Sequence, residues 1–264
     1  MAVKYLTESG LGFQYIVDDE KSFYTASVYQ GYDVSSSPFS NSIIFDGSDT
    51  YIAITDQSIN ISPSLTILAW IKTETNAEQR ICGNKGADSA TTGYDFYLDV
   101  DKLSLRYGDG TERNTYVDYE YDDNIWHLIG VTFNAGTVKF YADGVQVGST
   151  STPGGTTISD TTNVFTIGAK PGLIYKFTGS MDNVYVFDSV LSVDNINSIY
   201  TGESISISPK SLWKFDEGSG TVAKDSSGNG LNGVITSGTY SSGPTQLVKT
   251  IFPGGDITSD DALY

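Results

Sequence analysis

Short runs in which apolar and polar residues alternate, or apolar residues follow one another, recur along most of the chain. They are SIIF at 42–45, YIAI at 51–54, LTILAWIK at 65–72, YDFYLDV at 94–100 and KLSLRYG at 102–108, then WHLIGVTF at 126–133, TVKFYADG at 137–144, NVFTIGA at 163–169 and SMDNVYVFD at 180–188. Clusters such as DGSD, ADG and TPGG separate them and supply turn geometry. A period of roughly 8–12 residues per strand and turn is that of a β-sandwich or barrel. Val138, Phe140 and Ala142 share one face of a strand that ends in Asp143-Gly144, a hairpin signal. In WHLIGVTF, Trp126, Leu128, Gly130 and Thr132 alternate with His127, Ile129, Val131 and Phe133. Both faces are largely apolar, which predicts a central strand. One stretch has a helical period: in LSVDNINSIYTGE at 191–203, Leu191, Ile196, Ile199 and Tyr200 share a face and Ser192 is the N-cap.

The pattern also divides the chain. Residues 1–41 are weakly patterned and DVSSSPFSNS at 33–42 is a loop by composition, so 1–41 is expected to be an arm or attachment segment. Residues 42–240 hold the sandwich, and TGESISISPK at 201–210 is a polar connector to a second patterned segment at 211–235. The mixture of Gly, Pro, Ser and Asp over 241–264 predicts an extended C-terminal arm.

Composition narrows the function. With 15 Lys+Arg against 32 Asp+Glu the formal charge is −17. Phosphate backbones and anionic lipid surfaces are repelled by such a chain, so nucleic acid and membrane are not expected partners. Tyr (18) outnumbers Phe (12) and Trp (3), which suits sheets with half-wet faces. The single cysteine, Cys82, forms no intrachain disulfide and reads as a buried, inert thiol. The start MAVKYLTESG lacks the apolar core of a signal peptide, and no stretch approaches about 18 apolar residues.

Five segments, in order, resemble the laminin-G-like jelly rolls of the broad concanavalin-like group, which includes pentraxin-type domains. FDGSDTYIAI at 45–54 is similar to that family's F-D-G-x-x-x-Y-V strand, and LTILAWIK at 65–72 to its core strand, with Trp70 as anchor. WHLIGVTF at 126–133 and VKFYADGVQVGS at 138–149 match two further strands. IGA at 167–169 and FTGSMDNVYVFDSVLS at 177–192 match the last. The resemblance covers roughly 42–203 and implies an all-β, antiparallel two-sheet jelly-roll sandwich. LWKFDEGSGTVAKDSSGNGLNG at 212–233 resembles the family's opening strand and loop, yet it follows the last strand. About 55 residues are too few for a second sandwich. A circular permutation within the chain is the expectation; donation of the strand to a neighbour, making a homo-oligomer by strand or arm exchange, is the alternative.

Candidate chemistry is sparse. Some sandwiches of this type are glycosidases with E-x-D-x-x-E on a strand; here the match is Glu120, Asp122 and Ile125, which lacks the last carboxylate. A catalytic role is not expected. His127, the only histidine, falls at a core position of a strand, and one His with one Cys leaves little for a transition-metal or Ser-His-Asp centre. Calcium takes oxygen donors from Gly-rich acidic loops. Candidates are Asp225 and Asn229 in DSSGNG and Asp182 and Asn183 in GSMDN, and the family resemblance adds Asp46 and Asp49; the other reading is that all six make turns. For a sugar, Tyr94, Tyr116, Tyr119, Tyr121 and Tyr175 are the candidate stacking rings, with TYVDYEYDD at 115–123 placing Tyr119 and Tyr121 on one face.

The opening MAVKYLTESGL is similar to the starts of bacteriophage tail and head-fibre proteins. The expectation is a virion surface protein that binds glycans or cell-surface polysaccharide. The alternative is a capsid-decoration or assembly protein that holds other virion proteins; a polysaccharide hydrolase is the third reading.

Overall fold

The computed structural model describes residues 41–87 and 89–244, together with the backbone of four short strands near the termini. Residues 39–244 form one compact unit, and 1–38 with 245–264 form another. Within the terminal unit β1 (Leu6–Glu8) pairs antiparallel with β2 (Phe13–Tyr15), and β3 (Gln30–Asp33) with β20 (Val248–Ile251). The two ends of the chain thus share a strand pair. The loop expected at 33–42 and the phage-like opening fall mostly outside the described residues.

The large unit is an all-β sandwich of two antiparallel sheets. One, the β5 sheet, is built from β5 (Tyr51–Ile54), β7 (Gln79–Gly83), β8 (Tyr94–Asp99), β9 (Lys102–Gly108), β10 (Glu112–Asp118), β14 (Phe165–Ile167), β17 (Val222–Ala223) and β18 (Gly233–Thr236). Its order is β10-β9-β8-β7-β14-β5-β18-β17. The other, the β6 sheet, contains β4 (Ser42–Asp46), β6 (Ser64–Lys72), β11 (His127–Asn134), β12 (Thr137–Ala142), β13 (Val145–Ser151), β15 (Thr178–Phe187), β16 (Ser211–Trp213) and β19 (Thr239–Ser241). Its order is β13-β12-β11-β6-β15-β4-β19, with β16 also on β15. The expected apolar runs became strands with ends shifted by a residue or two. β7 was not foreseen, because QRICG has neither alternation nor a β-branched run.

Inward side chains of both sheets form one core, with Ile52, Phe96, Leu105 and Phe165 from the β5 sheet facing Ile67, Ile129, Val131 and Val184 from the β6 sheet. β6 is buried on both faces, as is β11. Their outward residues Leu68, Trp70 and Leu128, with Tyr141 and Phe187, make a second cluster under α1 (Val193–Tyr200), which contributes Ile196 and Ile199. Ser192 caps α1 by accepting from the Asn195 N–H at 3.2 Å. The hairpin signal at Asp143-Gly144 holds: both residues have positive φ between the paired Ala142 and Val145, as a two-residue turn matched to strand twist requires. At the free edge of the β6 sheet, β13 is bulged against β12, which spoils it as a template for another strand.

The segment after the helix belongs to the same sandwich. β16 pairs with β15, β18 with β5 and β19 with β4, so residues 211–241 supply both sheets of their own chain. Trp213 anchors it. The indole is fully buried, lies 5.8 Å from the Phe165 ring at 22°, and donates from Nε1 to the Leu231 carbonyl at 2.8 Å.

Candidate ligand-binding face

The helix α1 covers the outward residues of β6 and β11, and the outward face of the β5 sheet carries a set of aromatic and polar groups that a ligand could meet. Alternation sets it: Tyr94, Phe96, Leu98, Leu103, Leu105 and Tyr107 go to the core, and Asp95, Tyr97, Ser104 and Arg106 go outward. β10 continues the pattern. Thr115 reaches inward to the Ser151 hydroxyl at 2.7 Å, while Asn114 and Tyr116 stand outward opposite Arg106 and Ser104.

The outward groups form a graded array. At its floor, Arg80 and Asp95 are fully buried and paired, Nε to Oδ2 at 3.3 Å, and Arg80 also binds Glu78 at 3.0 Å. The Arg80 guanidinium lies over two rings, 4.3 Å from the centre of Tyr97 and 4.8 Å from that of Tyr175. Lys170 Nζ is 3.8 Å from Asp95 Oδ2. Burial still dominates, pushing the Asp95 carboxyl up to about 6 against the pull of these cations, and it pushes the Lys85 ammonium down. Nearer the edge, Arg106 donates to the Tyr97 hydroxyl at 3.2 Å, which donates to Asn114 Oδ1 at 3.0 Å. Arg106 is also 3.5 Å from Glu112. At the rim Tyr116 is 57% exposed, with Lys102 Nζ 5.3 Å from its ring centre. The result is a shelf: an exposed ring at the rim, an amide and a guanidinium held by a buried tyrosine, and an ionic floor.

The expected tyrosines separate here. Tyr116 is exposed on this face, and Tyr175 is partly exposed with its ring against Arg80. Tyr94 and Tyr121 are not available to a sugar, a correction of the sequence reading. Both are fully buried; Tyr94 donates to the Ile59 carbonyl at 2.9 Å and Tyr121 to the Asp99 carbonyl at 2.8 Å. Alternation did put Tyr119 and Tyr121 on one side, but that side is the core, with Thr115 and Val117. Tyr119 is partly buried, and its hydroxyl lies 3.1 Å from His127 Nδ1. The residues missed by sequence reasoning are Arg80, Tyr97, Arg106 and Asn114. Outward parity in KLSLRYG could have found Arg106; nothing local marked Arg80.

His127 is half-buried at the end of β11 rather than packed in the core. Nδ1 lies 2.8 Å from Asp143 Oδ2 and Nε2 3.2 Å from Asp123 Oδ2. The bond to Asp143, more than any other influence, raises its pKa. The residues Glu120 and Asp122 lie in the loop between β10 and β11, not on a strand.

Among the six proposed cation ligands, three kinds of setting appear. Asp46 Oδ1 accepts the N–H groups of Ser48, Asp49 and Thr50 at 2.9 Å, which holds its pKa well below the carboxylate range, and Asp49 is exposed. Asp225 accepts from the N–H groups of Leu212, Ser227 and Leu231, and Asn229 donates to the Lys210 carbonyl. Asp46, Asp225 and Asn229 are occupied in shaping turns. Asp182 and Asn183 are different: both are buried, and Asp182 Oδ2 and Asn183 Nδ2 have no hydrogen-bond partner. Among the described residues no group of three or more His, Cys, Asp or Glu converges as a metal cluster.

Residues 46–197 match the family model Laminin_G_3, described as the Concanavalin A-like lectin/glucanases superfamily. Among curated proteins none matches the sequence. Among solved structures, the fold is similar to that of a Bacteroides ovatus protein assigned as carbohydrate-binding, with a TM-score of 0.63 at 18% identity over 80% of this chain and 61% of that one. The chain therefore spans about three fifths of that protein's length. It is also similar to a heptameric SAP-like pentraxin from Limulus polyphemus, with a TM-score of 0.50 at 18% identity over 66% of this chain and 85% of that one.

Proposed function

The chain belongs to the Concanavalin A-like lectin/glucanases superfamily, and on that premise we propose that it is a non-catalytic module that binds carbohydrate on the outward face of its β5 sheet. The observation that carries this is the shelf itself: the exposed Tyr116 ring beside Asn114 and Arg106, whose positions are held by Tyr97. A sugar offers an apolar C–H face to a ring and hydroxyls to amide and guanidinium groups. Groups ordered before binding reduce the entropy lost on association. The assignment of the Bacteroides ovatus protein as carbohydrate-binding supports the same reading. Against hydrolysis, the two carboxylates of the nearest catalytic pattern sit in a loop, with Ile125 in the third position.

The test is a glycan array followed by titration of the best-bound polysaccharide. Tyr116→Ala is expected to weaken affinity at least about tenfold while leaving thermal stability nearly unchanged, as exposed substitutions do. Tyr121→Phe is the contrasting variant. It removes the donor to the Asp99 carbonyl, so about 1 kcal/mol of stability goes and glycan affinity stays. Equal affinities for wild type and Tyr116→Ala, or no glycan bound at all, would reject the proposal.

The setting we propose, from the opening MAVKYLTESGL, is the surface of a bacteriophage particle. A second reading, attachment to other virion proteins, draws on the terminal unit, in which strands from both chain ends pair with each other. Deleting 1–38 and 245–264 is expected to abolish co-sedimentation with particles and leave glycan binding intact. Loss of binding with retained sedimentation would reverse the two assignments.

A further inference from the structure

The chain's single histidine lies between two acids where β11 begins. Each acid comes from a different element. Asp143 opens the β12–β13 turn, and its Oδ2 is 2.8 Å from His127 Nδ1. Asp123 belongs to the crossing from β10 to β11, residues 119–126, and its carboxylate oxygens are 3.2 and 3.3 Å from His127 Nε2. Tyr119, also of the crossing, places its hydroxyl 3.1 Å from Nδ1, with its ring edge to face on the imidazole. Burial first, then Asp143 and Asp123, raise the Tyr119 pKa, so a neutral phenol faces the histidine; Tyr200 of α1 stands beyond it.

Imidazole chemistry makes this arrangement one-sided. A neutral ring has one N–H and one lone pair, whereas the cation has two N–H groups. With a carboxylate at each nitrogen, only the cation satisfies both; a neutral ring turns its lone pair on one of the acids. Asp123 is the one that loses its bond. Asp143 is closer to the ring and less exposed, 31% against 48% for the side chains. It is also tied to β11 a second time, since its Oδ1 accepts the Leu128 N–H at 3.0 Å and its own N–H donates to the Leu128 carbonyl at 2.9 Å. Nδ1 therefore keeps its proton and Nε2 gives it up.

We propose that His127 is a pH-sensitive fastener, which as a cation ties the β10–β11 crossing to the β12–β13 turn and as a neutral ring lets the crossing go at Asp123. The base of the crossing stays in place, because Tyr121 is fully buried and donates to the Asp99 carbonyl at 2.8 Å. Its far end is what loosens. There the Asn124 N–H donates to the Thr73 carbonyl at 3.0 Å and the Ile125 N–H to Asp123 Oδ1 at 2.9 Å. Asn124 has φ +62° and Ile125 is 58% exposed, so little packing opposes release. The direction follows from the two acids. The hydrogen bond to Asp143 raises the His127 pKa above the ordinary 6.5 against the pull of burial, and Asp123 adds to the rise. The folded state thus holds this proton to a higher pH than the unfolded chain. The fastening is fully present below about pH 6.5 and is lost as pH rises through the raised value. The inference does not rest on the glycan reading.

With one histidine in the full chain, nitrogen NMR of protein labelled only at histidine reads both ring nitrogens without ambiguity. Expected are a midpoint above 6.5 and, beyond it, a neutral ring protonated at Nδ1. Hydrogen exchange at the Asn124 and Ile125 amides, corrected for the intrinsic effect of pH, should quicken about three- to tenfold across the same midpoint, the factor of one partly exposed charged hydrogen bond. Asp123→Asn keeps an oxygen for the Ile125 N–H and sits at the surface, so the protein should fold as before. In it the histidine midpoint should fall and the step in exchange should vanish, whereas a merely structural contact would change exchange equally at every pH. A wild-type midpoint at or below 6.5, a neutral ring protonated at Nε2, exchange without a step at the histidine midpoint, or an undiminished step in Asp123→Asn would each overturn the proposal.

Discussion

Trp213→Ala is expected to remove about 3–5 kcal/mol of folding stability, the range for deleting a large aromatic side chain from a core. Two losses combine at this residue. The indole is fully buried and stacked on Phe165, so its removal leaves a void between β16 and the β5 sheet. Its Nε1–H is also the donor to the Leu231 carbonyl, which would be left without that bond at the entrance to β18. Leu231 and Trp213 belong to the segment that feeds both sheets after the helix, so the damage falls on the closure of the sandwich and not on one strand. Trp213→Phe should lie between the two, keeping most of the ring contact and losing the hydrogen bond. Urea unfolding monitored by fluorescence and by far-UV circular dichroism measures the loss. A Trp213→Ala midpoint close to wild type would mean that the C-terminal segment is dispensable, and the account of the fold would fail with it.

That segment also marks how far the sequence could be read. The stretch LWKFDEGSGTVAKDSSGNGLNG at 212–233 was recognisable as a strand and loop, and the strand pairing places it in the sandwich of its own chain. The central strand WHLIGVTF was legible because apolar residues on both faces leave one place to put it. β10 was not, for a physical reason. Its two faces are each mixed, Thr115 and Val117 against Asn114 and Tyr116, so alternation showed which tyrosines lie together but not which side faces the core. Tyr119 and Tyr121 were assigned to solvent on that account, and Tyr116 carries the exposed ring. The floor of the shelf was less legible still. Arg80 follows a polar stretch and Lys170 sits in a turn between Ala169 and Pro171, and only the fold buries them together beside Asp95. Asp95 in YDFYLDV does not announce a partner on a strand 15 residues earlier.

The same ion pair carries the second large effect. Arg80→Met keeps much of the side-chain volume and removes the charge, leaving Asp95 fully buried with Lys170 as the nearest remaining cation in its ion-pair set. Breaking a buried pair from one side is expected to cost about 3–5 kcal/mol near pH 7.5, because the stranded charge has lost its compensation. The loss should depend on pH, and its sign follows from Asp95. Its pKa in the folded protein is about 6, above the ordinary 3.8, so the folded state holds this proton to a higher pH than the unfolded chain does. A state that binds the extra proton is favoured by acid: this contribution is fully present below the unfolded value and is lost as pH rises from about 4 through about 6. In Arg80→Met the carboxyl rises further, since Arg80 is the largest influence holding it down. The variant should therefore be closest to wild type near pH 5, where Asp95 takes up its proton, and furthest from it near pH 8. Asp95→Asn, introduced into Arg80→Met, should recover much of the stability at pH 8 and little at pH 5, and the double-mutant cycle gives the coupling directly. Because Arg80 also packs on Tyr97, which positions Arg106 and Asn114, Arg80→Met should weaken glycan binding even where the protein remains folded. Stability differences that stay constant between pH 5 and pH 8 would show that Asp95 is not the group left exposed to the loss.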